Sequence, residues 1–275
     1  MKVLRPLRSL VTALLVLAAS PATAQYTALQ NRSSGQAAVG EDYNVEVAVG
    51  LWKPTPAIIF SSEQFGIPGS TIGLQDDLDT ENKTFRDFRL VLRPARKHKL
   101  RVEYIPIVFD VDTTLRRSLV FNGNLYSVGL PVTGEFKWDA WRFGYEYDFI
   151  HRDRGYLGLL LEAKYTHVRA ELTSQLASEF AEAKAPIPAV GLTGRGYVTR
   201  NVAVGGEVSL FRLPSGEDRD YTGKYYDYDF YGTINFTNNF GVTGGYRKLH
   251  LSYQVDSDFG EFRMNGMYVM GVARF

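Results

Sequence analysis

Period-two alternation of apolar and polar side chains recurs along the chain. In YNVEVAVGL, Tyr43, Val45, Val47, Val49 and Leu51 share one face, and Asn44 and Glu46 share the other. WRFGYEYDF sets Trp141, Phe143, Tyr145, Tyr147 and Phe149 against Arg142, Glu146 and Asp148. LGLLLEAKY sets Leu157, Leu159, Leu161, Ala163 and Tyr165 against Glu162 and Lys164. In YYDYDFYGTINF, Tyr226, Tyr228, Phe230, Ile234 and Phe236 oppose Asp227, Asp229, Tyr231, Thr233 and Asn235. RKLHLSYQVD places Leu249, Leu251, Tyr253 and Val255 opposite Lys248, His250, Ser252, Gln254 and Asp256. Successive side chains of a strand point to opposite faces, so each segment reads as a strand with one apolar side. Paired carboxylates such as Asp227 and Asp229 do not suit a dry sandwich core. They suit the polar inside of a membrane barrel whose apolar face meets lipid.

The pattern predicts ten strands, at 43–52, 84–94, 99–110, 135–149, 156–172, 189–199, 201–211, 225–236, 241–255 and 261–275. The fold class is therefore all-β: a closed antiparallel transmembrane β-barrel over 43–275, with eight strands as the alternative count. Links alternate between short and long, which puts the short ones on the periplasmic side. Closure is obligatory because hydrocarbon offers no hydrogen bonds to an open edge. The last segment, GMYVMGVARF, is too short for a transmembrane helix of roughly 20 residues but fits one tilted strand. It places Met267, Val269, Gly271, Ala273 and Phe275 outward, and Gly266, Tyr268, Met270, Val272 and Arg274 inward. Pairing of this strand with the first brings Phe275 to the inner interface.

The N-terminus adds a compartment. Lys2, Arg5 and Arg8 precede an apolar run from Leu10 to Ala19, then Pro21 and Ala22-Thr23-Ala24, the layout of a signal peptide over 1–24 cut before Gln25. Residues 25–42 read as a periplasmic N-terminal segment. Beyond residue 25 no run of about 18 apolar residues occurs, so helices are not the spanning elements.

Composition removes other classes. The 275 residues carry 31 Lys plus Arg against 30 Asp plus Glu, and no Cys. Without a basic excess or stripe there is no case for a nucleic-acid partner. Without Cys there is neither a disulfide scaffold nor a thiolate metal site. The partners expected are outer-membrane lipid and, during biogenesis, the barrel-assembly machinery, for which a terminal Phe275 resembles the recognition signal.

Parity assigns a lumen set: Glu46, Arg89, Arg101, Glu103, Arg142, Glu146, Glu162, Lys164, Arg195, Glu207, Asp227, Asp229 and Lys248, with Arg93, Asp148 and His250 on the same side. Both signs are nearly balanced, so internal pairing and a largely plugged channel are expected. No cofactor or metal is expected. In the 53–83 link, Asp76, Asp77, Asp79 and Glu81 lack the ligand order of a calcium loop and read as a solvated acidic stretch. The stretch 174–188 reads as a short helical cap stopped by Pro186 and Pro188.

The alternating strands, GYEYDF at 144–149, VFNGNLYSVGLPV at 120–132 and the final VARF together resemble a group of small Gram-negative outer-membrane β-barrel proteins, in the broad company of OmpW- and OmpX-type barrels. The resemblance implies envelope stability, adhesion or passage of small hydrophobic solutes, and transfers no functional residue. The expected function is structural or envelope-associated and non-catalytic; the alternative is a channel or transporter for small or hydrophobic solutes. A second alternative is a lipid hydrolase, because His250-x-Ser252 is similar to the spacing in outer-membrane lipid A deacylases. Those enzymes face the pair to lipid, whereas parity here turns it inward. Omptin proteases also have ten strands, but His167 has no Asp beside it in sequence.

Overall fold

The computed structural model describes residues 38–61, 69–175, 177–213, 221–255 and 258–275. The segment 1–24 and most of 25–42 lie outside the described residues. In chain order the strands are β1 (Val45–Ser61), β2 (Ile72–Gly73), β3 (Phe85–Ala95), β4 (His98–Thr114), β5 (Leu119–Phe121), β6 (Asn124–Tyr126), β7 (Pro131–Arg152), β8 (Gly155–Thr173), β9 (Ser178–Tyr197), β10 (Val202–Leu213), β11 (Tyr221–Asn235), β12 (Phe240–Val255) and β13 (Asp258–Arg274). Ten of them form the wall, each antiparallel to its neighbours, while β2 adds to β1 and β5 pairs with β6 alone. β13 pairs with β1 from Glu46↔Arg274 to Ser61↔Phe259, and this ladder closes the barrel.

The registers fix the shear of the wall. The path of paired residues from Val45 runs through Leu92, Leu100, Tyr145, Leu161 and Val190. It continues through Leu210, Tyr226, His250 and Arg263 to Ala57, twelve positions further along β1. Such a stagger in a ten-strand wall tilts the strands by about 40° and leaves an interior that side chains can fill.

A membrane strand needs only about 9–11 residues, yet β7 has 22 and β9 has 20. The wall therefore continues well above the bilayer, and the apolar face changes sides where it leaves the lipid. On β7, Trp141, Phe143 and Tyr145 point outward, whereas Trp138, Phe136 and Val132 are buried inside. On β1 the outward Val47, Val49 and Leu51 give way to the inward Ile58 and Phe60. On β13, Met267 and Val269 are outward, and Met264 and Phe262 are inward. The cause is the solvent outside. Within the bilayer the exterior is hydrocarbon and favours apolar side chains; above it the exterior is water, and the hydrophobic effect drives the same residue types inward.

Two sequence expectations change for this reason. Lys248 and His250 do not face the lumen: Arg247, Leu249 and Leu251 do, and Lys248 is exposed on the outside. The parity of β12 was set by Leu249 and Leu251, which lie above the inversion. The helical cap over 174–188 is instead the first part of β9, paired to β8 from Thr173↔Ser178 to Ala163↔Pro188. β10 meets β9 only up to Leu210↔Val190. Among the described residues, 178–189 thus have no ladder partner on their β10 side, and an edge tolerates Pro186 and Pro188, which lack N–H donors. The extension also shortens the extracellular links, so 174–177 is no longer than a periplasmic turn.

Candidate functional site

The interior is divided into three layers. At the periplasmic mouth, residues 38–44 cross the opening. Val39 N donates to Arg200 O at 2.8 Å, and Asn235 Nδ2 donates to Val39 O at 2.7 Å. Arg93 Nη1 donates to Glu41 O at 2.6 Å, while Tyr197 Oη donates to Glu41 Oε2 at 3.1 Å. Gly40 is held at φ 78°, and a Cβ there would stand 2.7 Å from Arg274 Nη1, so glycine alone fits the strap under that guanidinium. Tyr43, expected outward, precedes the first strand and is buried under Arg93 and Arg274, with its ring 5.4 and 5.7 Å from their guanidinium carbons.

The middle layer is a continuous chain of opposite charges. Lys99 Nζ is 2.5 Å from Glu146 and 3.0 Å from Asp148, and Arg101 reaches Glu146 at 3.2 Å and Glu207 at 2.6 Å. Arg142 meets Glu103 at 3.0 Å and also contacts Glu162 and Glu207. Glu103 further accepts Arg247 at 2.7 Å and Arg89 at 3.0 Å. Asp227 binds Arg247 at 2.8 Å and Lys164 at 3.1 Å, and Lys164 donates to Ser209 Oγ at 2.7 Å. Arg89 also pairs with Asp87 and Asp229, and Tyr268 Oη donates to Asp229 at 2.8 Å. Arg274 and Glu46 form a separate pair at 2.5 Å. Arg195 lies between the rings of Tyr156 and Tyr231, with Glu41 3.9 Å away. Each buried ion costs several kcal/mol of desolvation, and a carboxylate shared by two or three guanidiniums offsets it. A void of about 70 Å³ remains, lined by Arg101, Glu146, Arg195 and Glu207 among others. It has room for a few waters that bridge these groups.

Above the charges the interior is dry. Trp52, Ile58, Ile107, Phe109, Phe136, Trp138, Phe262 and Met264 form one buried cluster, roofed by Ile72, Leu74, Leu119, Phe121 and Tyr126 from the extracellular links. The cavity against Phe60, Leu74 and Phe136 measures about 10 Å³, room for one water at most. The acidic link is tied to neighbouring bases: Asp77 accepts from Arg117 at 2.6 Å and from Gly73 N at 2.8 Å, and Asp79 lies 3.3 Å from Arg116. The Arg117 hydrogen bond holds the Asp77 carboxyl below its ordinary range.

The structure therefore brings together Glu46, Arg89, Arg101, Glu103, Arg142, Glu146, Glu162, Lys164, Arg195, Glu207, Asp227 and Asp229, and leaves Lys248 outside. Sequence reasoning missed Lys99, which shares the parity of Arg101, and Asp87, which shares that of Arg89. It also missed Arg247, hidden by the face inversion on β12. His250 faces outward, with Nε2 3.1 Å from Glu261 Oε1, and Ser252 lies on the same face directly across from Glu261. The orientation is the one the hydrolase reading lacked. The same Glu261 oxygen accepts Arg263 Nε at 2.8 Å, and no hydrogen bond joins His250 to Ser252. His167 has carboxylates nearby only in space: Nε2 is 2.6 Å from Glu182 and Nδ1 is 3.8 Å from Asp139.

A closed ten-strand wall with an apolar belt toward lipid and a self-paired charged interior defines an integral β-barrel protein of the outer membrane. No family model matches the chain, and no curated protein matches it. Among solved structures the chain is similar to the outer membrane protease OmpT from Escherichia coli, at 11% identity over 84% of this chain and 97% of that one, with a TM-score of 0.50. That likeness concerns the fold. Ail of Yersinia pestis matches at 13% identity, covering 82% of this chain and 97% of its own, with a TM-score of 0.36. The toluene transporter TodX of Pseudomonas putida matches at 8%, covering 84% and 90%, with a TM-score of 0.35. Neither of the last two bears on activity.

Proposed function

We propose that the protein is a sealed, non-catalytic structural barrel of the outer membrane, an envelope element without an axial pore. The supporting observation is that charges fill the membrane-level lumen and a dry core fills the part above it. In planar bilayers, purified protein should give no steady conductance above the bare membrane. Large, reproducible wild-type currents whose ion preference changes on reversing Glu162 or Asp227 would establish a channel instead. Ten strands set this chain apart from the eight of the best-known OmpW- and OmpX-type barrels.

A second reading, passage of small apolar solutes, is favoured by one feature. The upper interior is aromatic and aliphatic, and among the described residues β9 has no ladder partner on its β10 side above Val190, a place where a solute would leave sideways near the membrane surface. Uptake of a hydrophobic fluorescent probe should then be several-fold faster in cells that make the protein than in cells lacking it. Equal uptake excludes this reading and leaves the structural one.

Phe275 serves assembly in this account. Its backbone binds Val45 in both directions, with N–O distances of 2.9 Å each, while its ring is exposed to the membrane interface. Deleting Phe275 should lower the assembled outer-membrane fraction several-fold, and Phe275→Tyr should retain most of it. Wild-type amounts of heat-modifiable barrel after the deletion would count against the role.

A further inference from the structure

On β10, β11, β12, β1 and β3 a cation is the first charge met at the extracellular end of the apolar belt, and among the described residues it has no carboxylate partner; on β13, which lies between β12 and β1, Arg263 is paired with Glu261. Lys53 follows the outward Leu51, Arg86 follows Phe88, Arg212 follows Leu210, Lys224 follows Tyr226 and Lys248 follows Tyr246, each two positions on and on the same face. These five side chains come from β1, β3, β10, β11 and β12. All five are exposed, and among the described residues none has a carboxylate within ion-pair distance. Arg212 and Lys224 are directly opposed partners across the β10–β11 ladder. Like charges so placed destabilise a sheet.

Strands β7, β8 and β9 are built differently. There Lys137 is 3.7 Å from Asp139, Arg169 is 3.2 Å from Glu171, and Lys184 is 2.7 Å from Glu182. Long cationic side chains snorkel from any membrane belt to the interface, but that tendency acts equally around the wall. It does not explain why Arg212 and Lys224 oppose each other directly. An anion at the membrane surface does.

We propose that this arc is a docking site for a phosphorylated glycolipid of the outer leaflet, lipopolysaccharide, with its acyl chains against the apolar belt and its phosphates between Arg212, Lys224 and Lys248. The level of the cations matches a headgroup rather than a soluble anion, because the side chains below them face hydrocarbon. The bound phosphate offsets the repulsion between Arg212 and Lys224, so the ligand stabilises the barrel as well as binding to it.

The test uses the full-length barrel in lipid nanodiscs, with purified lipopolysaccharide and its dephosphorylated form as probes. Each cation near a charged lipid surface contributes about 1 kcal/mol, so Arg212→Glu with Lys224→Glu should weaken phosphorylated-lipid binding by thirtyfold or more. Lys184→Glu, on the paired side, should leave it within about twofold of wild type. Should the double reversal fail to give a heat-modifiable barrel, Arg212→Gln with Lys224→Gln is read instead, with a loss of about thirtyfold expected from removing two charges. Equal binding of the dephosphorylated form, or an equal loss from Lys184→Glu, would reduce the arc to generic snorkelling and overturn the site. Unchanged affinity in the readable double variant would overturn it too.

Discussion

Glu103→Gln should lower the stability of the folded barrel by about 3–5 kcal/mol, the usual cost of removing one partner from a buried ion cluster. Glu103 is the carboxylate on which Arg89, Arg142 and Arg247 converge, at 3.0, 3.0 and 2.7 Å. Neutralising it leaves three guanidiniums with a surplus of positive charge in a layer where Arg142 and Arg247 are almost fully buried. Lys184→Gln, at an exposed pair, should cost under about 1 kcal/mol. The measurement is the denaturant midpoint of the detergent-solubilised barrel, followed by its heat-modifiable gel shift. Equal, small effects of the two substitutions would mean that the middle layer is hydrated and loosely paired.

The closing seam should be as sensitive to added volume as the charged layer is to lost charge. Gly50 and Gly266 both lie in the β1–β13 ladder. A Cβ on Gly50 would stand 2.1 Å from Val269 O, and one on Gly266 would stand 2.2 Å from Lys53 O. Both obstacles are backbone and cannot turn aside. Gly266 also presents its carbonyl to Trp52 Nε1 at 3.3 Å, which ties the seam to the dry core. Gly266→Val should therefore abolish most of the closed, heat-modifiable species, while Gly196→Ala, where a Cβ meets nothing within 4 Å, should leave it intact. A fully assembled Gly266→Val barrel would show that the seam is looser than the ladder implies.

Most of the wall was readable in the sequence because period two is a strong constraint at membrane level. The outward faces of Trp141 to Phe149, Leu157 to Tyr165 and Tyr226 to Phe236 follow from alternation alone. The last strand, with Arg274 and Tyr268 inward, also lies as its parity required. Alternation misled on β12 because it reports which face is apolar and not whether the surroundings are lipid or water. Leu249 and Leu251 are apolar because they line a core, while Val242 and Tyr246 on the same strand are apolar because they face the bilayer. A strand that crosses that boundary changes which face is apolar without changing its backbone. Reading β12 from its membrane end, where Val242 and Tyr246 set the parity, would have placed Arg247 inside and Lys248 outside. The strap across the periplasmic mouth carried no periodic signal, and Pro186 and Pro188 in β9 mimic a helix stop because sequence alone does not show that an edge is free.

Whether the lumen is sealed in its middle layer can be tested by labelling, because the chain contains no Cys. Ser209 and Thr233 have no exposed surface and lie inside the wall, whereas Lys248 is outside it. In assembled protein, Ser209→Cys and Thr233→Cys should resist a small, charged, membrane-impermeant maleimide applied to both sides, and should react fully once the barrel is unfolded. Lys248→Cys should react in the assembled state. Labelling of Ser209→Cys or Thr233→Cys at the Lys248→Cys rate in the assembled barrel would mean an open, water-filled lumen instead of a sealed one.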